Sequence, residues 1–125
     1  MQRTLYRPVG QKELDLIEES GWKAFPPRLP LQPIFYPVLN EAYAVQIARD
    51  WNTKDPASDY VGYVTRFDVD ADYLSRYERQ VVGASNHEEL WVPAEDMDLF
   101  NSHILGPIEV VHQFRGDRAG GGVAG

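Results

Sequence analysis

Glu88 and Glu89 stand side by side between a run of small residues, Gly83-Ala84-Ser85-Asn86, and a β-prone segment, Leu90-Trp91-Val92. Neighbours on a strand point to opposite faces. One of the two must therefore face a buried or cleft side, where a carboxylate is costly without a partner or a task. The plainer alternative is an edge strand whose charges deter aggregation. Arg7 lies in an aromatic, strand-like segment, Leu5-Tyr6-Arg7-Pro8-Val9. A guanidinium in such a strand suits bidentate binding of a phosphate or carboxylate. A structural ion pair with Glu13 or a late glutamate is the alternative. Tyr36, after Phe35, and Tyr43 offer ring faces on which a planar ligand could stack, with core packing as the alternative. Arg28 sits inside a segment holding Pro26, Pro27, Pro30 and Pro33. That segment is expected beside a ligand cleft, where Arg28 could reach a phosphate, or else as a surface connection.

Other chemistries have no signature. Neither the G-x-G-x-x-G nor the G-x-x-x-x-G-K-[ST] phosphate loop occurs, nor a G-x-S-x-G nucleophile elbow. The chain has no cysteine, which excludes disulfides and thiolate chemistry. Its histidines at 87, 103 and 112 form no helical pair, so no metal site is expected. Ser85 and His87 could be drawn into a hydrolytic triad only on paper, being two apart in one loop.

These residues need elements to hold them. Leu14 and Ile17 mark a helix over 11–20, with Gly21 as its stop. A small strand is expected over 22–25. The four prolines exclude helix and central strand from 26–33. A short strand follows over 34–39. Asn40 caps a helix over 41–51 whose apolar stripe is Ala44, Ile47, Ala48 and Trp51. The β-rich run 60–69 is the clearest strand. Further strands are expected over 77–82, 88–92 and 107–114, with a short helix over 94–101. Early helices and late strands favour an α+β fold over a doubly wound parallel sheet.

The chain has 125 residues and a net charge of −7, with a hydrophobic fraction of 43%. That reads as one globular domain over 1–115, followed by a flexible Gly-rich tail over 116–125. The acidic balance disfavours nucleic acid. No apolar run reaches the ~18 residues of a membrane span. The amino-terminal segment has no signal-like stretch, so a cytoplasmic location is expected.

Leu5-Tyr6-Arg7, then Ile34-Phe35-Tyr36 leading into the alanine-bearing helix, then His87-x-Glu89 opening a strand, together resemble the ADP-ribosyltransferase-like superfamily. The resemblance spans roughly residues 4 to 114. Phe25-Pro26-Pro27-Arg28-Leu29-Pro30 and Trp91-Val92-Pro93-Ala94-Glu95-Asp96 resemble, more closely, small bacterial ADP-ribosylation-related proteins. The resemblance implies a compact split-sheet α+β domain that binds NAD in a cleft, without a metal. It implies that Arg7 holds the NAD phosphates or the nicotinamide ribose. Tyr36, or Tyr43, would stack on nicotinamide. Glu89 would be the catalytic glutamate, and His87 would occupy the position that selects the acceptor. Two family features are absent: Tyr36-Pro37-Val38 replaces the Ser-x-Ser element, and the first strand has no histidine.

The function implied is an NAD-dependent ADP-ribosyltransferase or NAD glycohydrolase, with NAD as substrate and an acceptor that the sequence leaves open, a protein being one candidate. The alternative is a catalytically inactive nucleotide-binding or protein-interaction module on the same fold. An RNA 2′-phosphotransferase, a third activity of that fold, fits poorly with the acidic charge and the lack of a basic stripe.

Overall fold

A computed structural model describes residues 1–30, 32–83 and 87–116. The Ser85 side of the paper triad and residues 117–125 of the expected tail lie outside them. The fold is mixed α+β, and every strand pairing is antiparallel among the described residues.

Strand β3 (Val61–Asp70) is the centre of the main sheet. Its first five residues are buried in succession, as a continuous β-branched and aromatic run dictates. On one side it pairs with β1 (Gln2–Val9), from Gln2 opposite Asp70 to Val9 opposite Tyr63. On the other it pairs with β7 (Ile104–Arg115), through two register shifts. Between β1 and β3 the chain forms α1 (Gln11–Glu19), β2 (Ile34–Phe35) and α2 (Glu41–Asp50). Between β3 and β7 it forms α3 (Ala71–Leu74), β4 (Arg79–Val81), β5 (Glu88–Leu90), β6 (Val92–Pro93) and α4 (Met97–Ser102).

The segment around Val38 joins the main sheet to a second ribbon. The Val38 N–H and C=O both bond to Tyr6 of β1, at 2.8 and 2.9 Å. On its other side Leu39 N–H donates to Glu88 C=O and Leu90 N–H donates to Pro37 C=O. β5 is thus hydrogen-bonded on both edges, to this segment and to β4. The edge-strand reading of Glu88-Glu89 does not hold.

Asn40 caps α2, its side chain accepting from Tyr43 N–H at 3.1 Å. Ala44 and Ala48 are fully buried against Val38 and Val64. Trp51, expected on the same stripe, is 71% exposed. The helix stops at Asp50, and the chain turns into a 3-10 turn over Asn52–Lys54, which carries Trp51 off the packed face.

The main core is aromatic. Phe25 packs on Phe35 and Phe67, with centroids 5.0 and 4.7 Å apart, and Phe35 on Phe100 at 5.3 Å. The strand expected over 22–25 is absent. Asn101 of α4 takes its place as partner: its Oδ1 accepts from Phe25 N–H and its Nδ2 donates to Phe25 C=O. The strand expected over 88–92 is split at Trp91, because β5 pairs with β4 while β6 turns to β2. The last strand begins at Ile104 rather than Pro107, and the 94–101 helix opens with a 3-10 turn over Ala94–Asp96. Gly116 continues the sheet, its N–H donating to Tyr60 C=O at 2.8 Å.

Behind the sheet, Tyr73 donates to the Tyr77 hydroxyl at 2.6 Å, and Tyr77 donates to Asp96 at 2.9 Å. Burial first, and then these hydrogen bonds, push the Tyr77 phenol far above its ordinary value of 10.0. The folded chain therefore holds this proton more tightly than the unfolded chain. The resulting stability is complete below about pH 10 and is lost as the pH rises beyond it. Thermal unfolding followed between pH 8 and 11 should show a steeper alkaline decline for the native sequence than for Tyr77→Phe. Parallel declines would assign the loss to other groups.

Candidate functional site

Two cavities meet around Arg7 and Pro8 of β1. One, of about 490 Å³, is walled by Tyr36, Val38, Tyr43, Ile47, Val82, Glu89 and Trp91. The other, of about 330 Å³, is walled by Gly10, Lys12, Glu13, Pro26, Pro27, Arg28 and Ser58 among others. Arg7, Pro8 and Asn52 line both. The first has the size of a small-molecule site.

Strand alternation sets the first cavity's chemistry. Glu88 turns away toward Arg79, at 3.9 Å. Glu89 turns inward and is only 8% exposed. Trp91, two residues on and so on the same side, donates from Nε1 to Glu89 Oε1 at 2.8 Å. Tyr43, one turn into α2, donates from its hydroxyl to Glu89 Oε2 at 3.3 Å. Each carboxylate oxygen thus has one donor, and among the described residues no cation pairs with it. The Tyr43 phenol is raised above its ordinary value, by burial first and then by the Glu89 charge and hydrogen bond. It stays a donor across the neutral range.

Aromatic rings complete this wall. Tyr36 stands edge-on to Trp91, with an interplanar angle of 87° at 6.3 Å. Tyr36 and Trp91 are each about half-exposed at the mouth. His87 lies flat on Tyr43, 4.2 Å between ring centroids and 7° from parallel. It backs the Tyr43 ring and is not itself part of the cavity wall.

The cations belong mainly to the second cavity. Arg7 is held by both Glu13 oxygens, Nε at 2.7 Å and Nη2 at 2.9 Å, so the ion-pair alternative is what the fold contains. Its guanidinium also lies 4.6 Å over the Phe35 ring. Arg28 reaches the same ring at 5.8 Å and donates from Nε to Gln32 C=O. Burial, and then the neighbouring Arg7 charge, lower its proton affinity below the ordinary value. Two guanidiniums around one ring beside a cavity make a natural place for an anion. The proline segment forms a wall of this cavity, with Phe25 anchoring it in the core.

Sequence reasoning missed two residues. Trp91 had a signal, its spacing of two from Glu89. Asn52 had none: it lies in the 3-10 turn after α2, where both cavities meet. Its Nδ2 donates to Ser58 Oγ, and that hydroxyl donates to Asp55. This fixes the amide so that Oδ1 is buried without a partner.

The site is therefore a two-part cleft, with a carboxylate in an aromatic pocket at one end and arginines at the other. No protein-family model matches the chain, and neither curated proteins nor solved structures give a match to it. No helix among the described residues is long and apolar enough to cross a membrane.

Proposed function

We propose that the chain binds NAD across the two cavities and cleaves its nicotinamide–ribose bond, passing ADP-ribose to an acceptor or to water. The observation that supports this reading best is the convergence of Arg7, Tyr36, Tyr43 and Glu89 on one cavity. They come from four separate segments, and the sequence resemblance nominated each of them independently of any contact.

In this reading nicotinamide enters the aromatic pocket and stacks on Tyr36 or Tyr43. The pyrophosphate lies toward Arg28, sharing Arg7 with Glu13. As the C–N bond breaks, its electron pair passes to the ring nitrogen and neutralises the pyridinium. Positive charge builds on the ribose, and Glu89 stabilises it, held in one rotamer by Trp91 and Tyr43. An acceptor nucleophile then bonds to the ribose carbon and releases its proton. His87 contributes by fixing the Tyr43 ring that donates to Glu89.

Tyr36-Pro37-Val38, standing where the family that the chain resembles carries its Ser-x-Ser element, favours a second reading, a nucleotide-binding module without turnover. Calorimetric titration with NAD, together with chromatographic detection of released nicotinamide, separates the two. Binding with release supports the enzyme, and binding without release supports the module. No binding by folded protein removes both.

A further inference from the structure

We infer that the aromatic pocket is a recognition site for small organic cations, selecting its ligand by positive charge whether or not that ligand is a dinucleotide. Glu89 is a buried carboxylate whose two oxygens both act as acceptors, from Trp91 and Tyr43. Two neutral donors orient it but leave its charge uncompensated. Taking such a charge out of water without a counter-ion is costly, and a bound cation would recover that cost. Arg7, the one cationic residue on this pocket's wall among the described residues, is already held by both oxygens of Glu13.

The rest of the wall fits the same ligand. Tyr36, Tyr43 and Trp91 present ring surface around the carboxylate. Aromatic faces attract a cation through their quadrupole, while Val38 and Ile47 add apolar wall that suits a ring or methyl groups and not a hydrated metal ion. The fitting class is a soft, weakly hydrated organic cation: an N-alkylated pyridinium, a quaternary ammonium or a guanidinium. A nucleotide could supply the first, and an amine metabolite or arginine-like group the others.

The test uses pairs of probes that differ in charge. 1-Methylnicotinamide and nicotinamide share a ring and a carboxamide, but only the first is a cation. Titration calorimetry on the full chain should show 1-methylnicotinamide binding at least about tenfold more tightly than nicotinamide. In Glu89→Gln that ratio should fall to within about twofold of one. Tyr36→Leu, at the exposed mouth, should also lower the ratio and is available should Glu89→Gln fail to fold. Tetramethylammonium and methylguanidinium identify the source: binding equal to 1-methylnicotinamide marks a general cation site, and much weaker binding marks a pyridinium site. Equal affinity for the charged and neutral rings, no binding of either, or a preference unchanged by both substitutions would overturn the inference. The result is independent of NAD turnover. A cation preference in a protein that ignores NAD would remove the proposed activity alone, and turnover without that preference would remove the inference alone.

Discussion

Glu89→Gln should weaken NAD binding by about tenfold, the attraction of the carboxylate for the ground-state pyridinium, and slow nicotinamide release from bound NAD by about a further 10²- to 10³-fold. The substitution is nearly isosteric, and the pocket can accommodate it. The amide oxygen can keep the Trp91 Nε1–H that Oε1 now accepts, and the Tyr43 hydroxyl can turn to accept from the new NH₂. Both hydrogen bonds survive, so the fold and the pocket shape should too. Only the negative charge is lost. Intact NAD carries its positive charge on the pyridinium, and only as the bond breaks does that charge move onto the ribose beside the carboxylate. The carboxylate's largest effect therefore falls on the barrier. Single-turnover kinetics with equilibrium binding checks this split. Equal turnover by the variant would return Glu89 to a structural role. Loss of binding in step with turnover would make it a ligand-anchoring residue.

Local structure was legible where one physical signal acted alone. Asn40 followed by an alanine-bearing stripe reads as a capped helix, and α2 begins at Glu41. The run through Val61, Tyr63 and Val69 reads as a strand, and β3 is that strand; that its first five residues are all buried is what the fold adds. Alternation also told that one of Glu88 and Glu89 faces inward, though not which one. That choice is made by Pro37–Leu39, which threads between β1 and β5 through four backbone hydrogen bonds. Pairing across some thirty to fifty residues leaves no mark in local spacing. The same holds for Phe25, where a side chain of α4 satisfies the backbone that a strand partner would otherwise have taken. For Arg7 the sequence offered two readings, and the fold makes them compatible: the guanidinium is paired with Glu13 and also lines both cavities. Trp91 could have been found, since an indole N–H two residues from a buried strand carboxylate lies within its reach. Asn52 could not, because nothing near it in sequence signals that two cavities meet there.

Gly62→Ala should cost about 3 kcal/mol or more and lower the melting temperature by roughly 10 °C or more. Gly62 lies in β3 opposite Phe114, beneath α2. A Cβ there would fall 2.3 Å from the Ala48 carbonyl oxygen, 2.8 Å from its carbon and 2.9 Å from its Cα. All three are helix backbone, so no side-chain rotation relieves the contact. The whole helix must lift, and with it the packing of Ala44 and Ala48 against Val38 and Val64. Ala48→Gly should not rescue the variant, because the atoms in the way remain. The consequence reaches the site, since α2 also carries Tyr43 and Ile47 on the cavity wall. The Tyr43–Glu89 hydrogen bond is already 3.3 Å long. Even a shift of ~0.5 Å would take it beyond useful geometry. Any Gly62→Ala protein that folds at low temperature should therefore hold its ligand more weakly than the native chain. Calorimetric melting and ligand titration on the same sample test both parts. A melting temperature within about 2 °C of native would show that the helix moves freely on the sheet, and that close approach at Gly62 does not set the cavity.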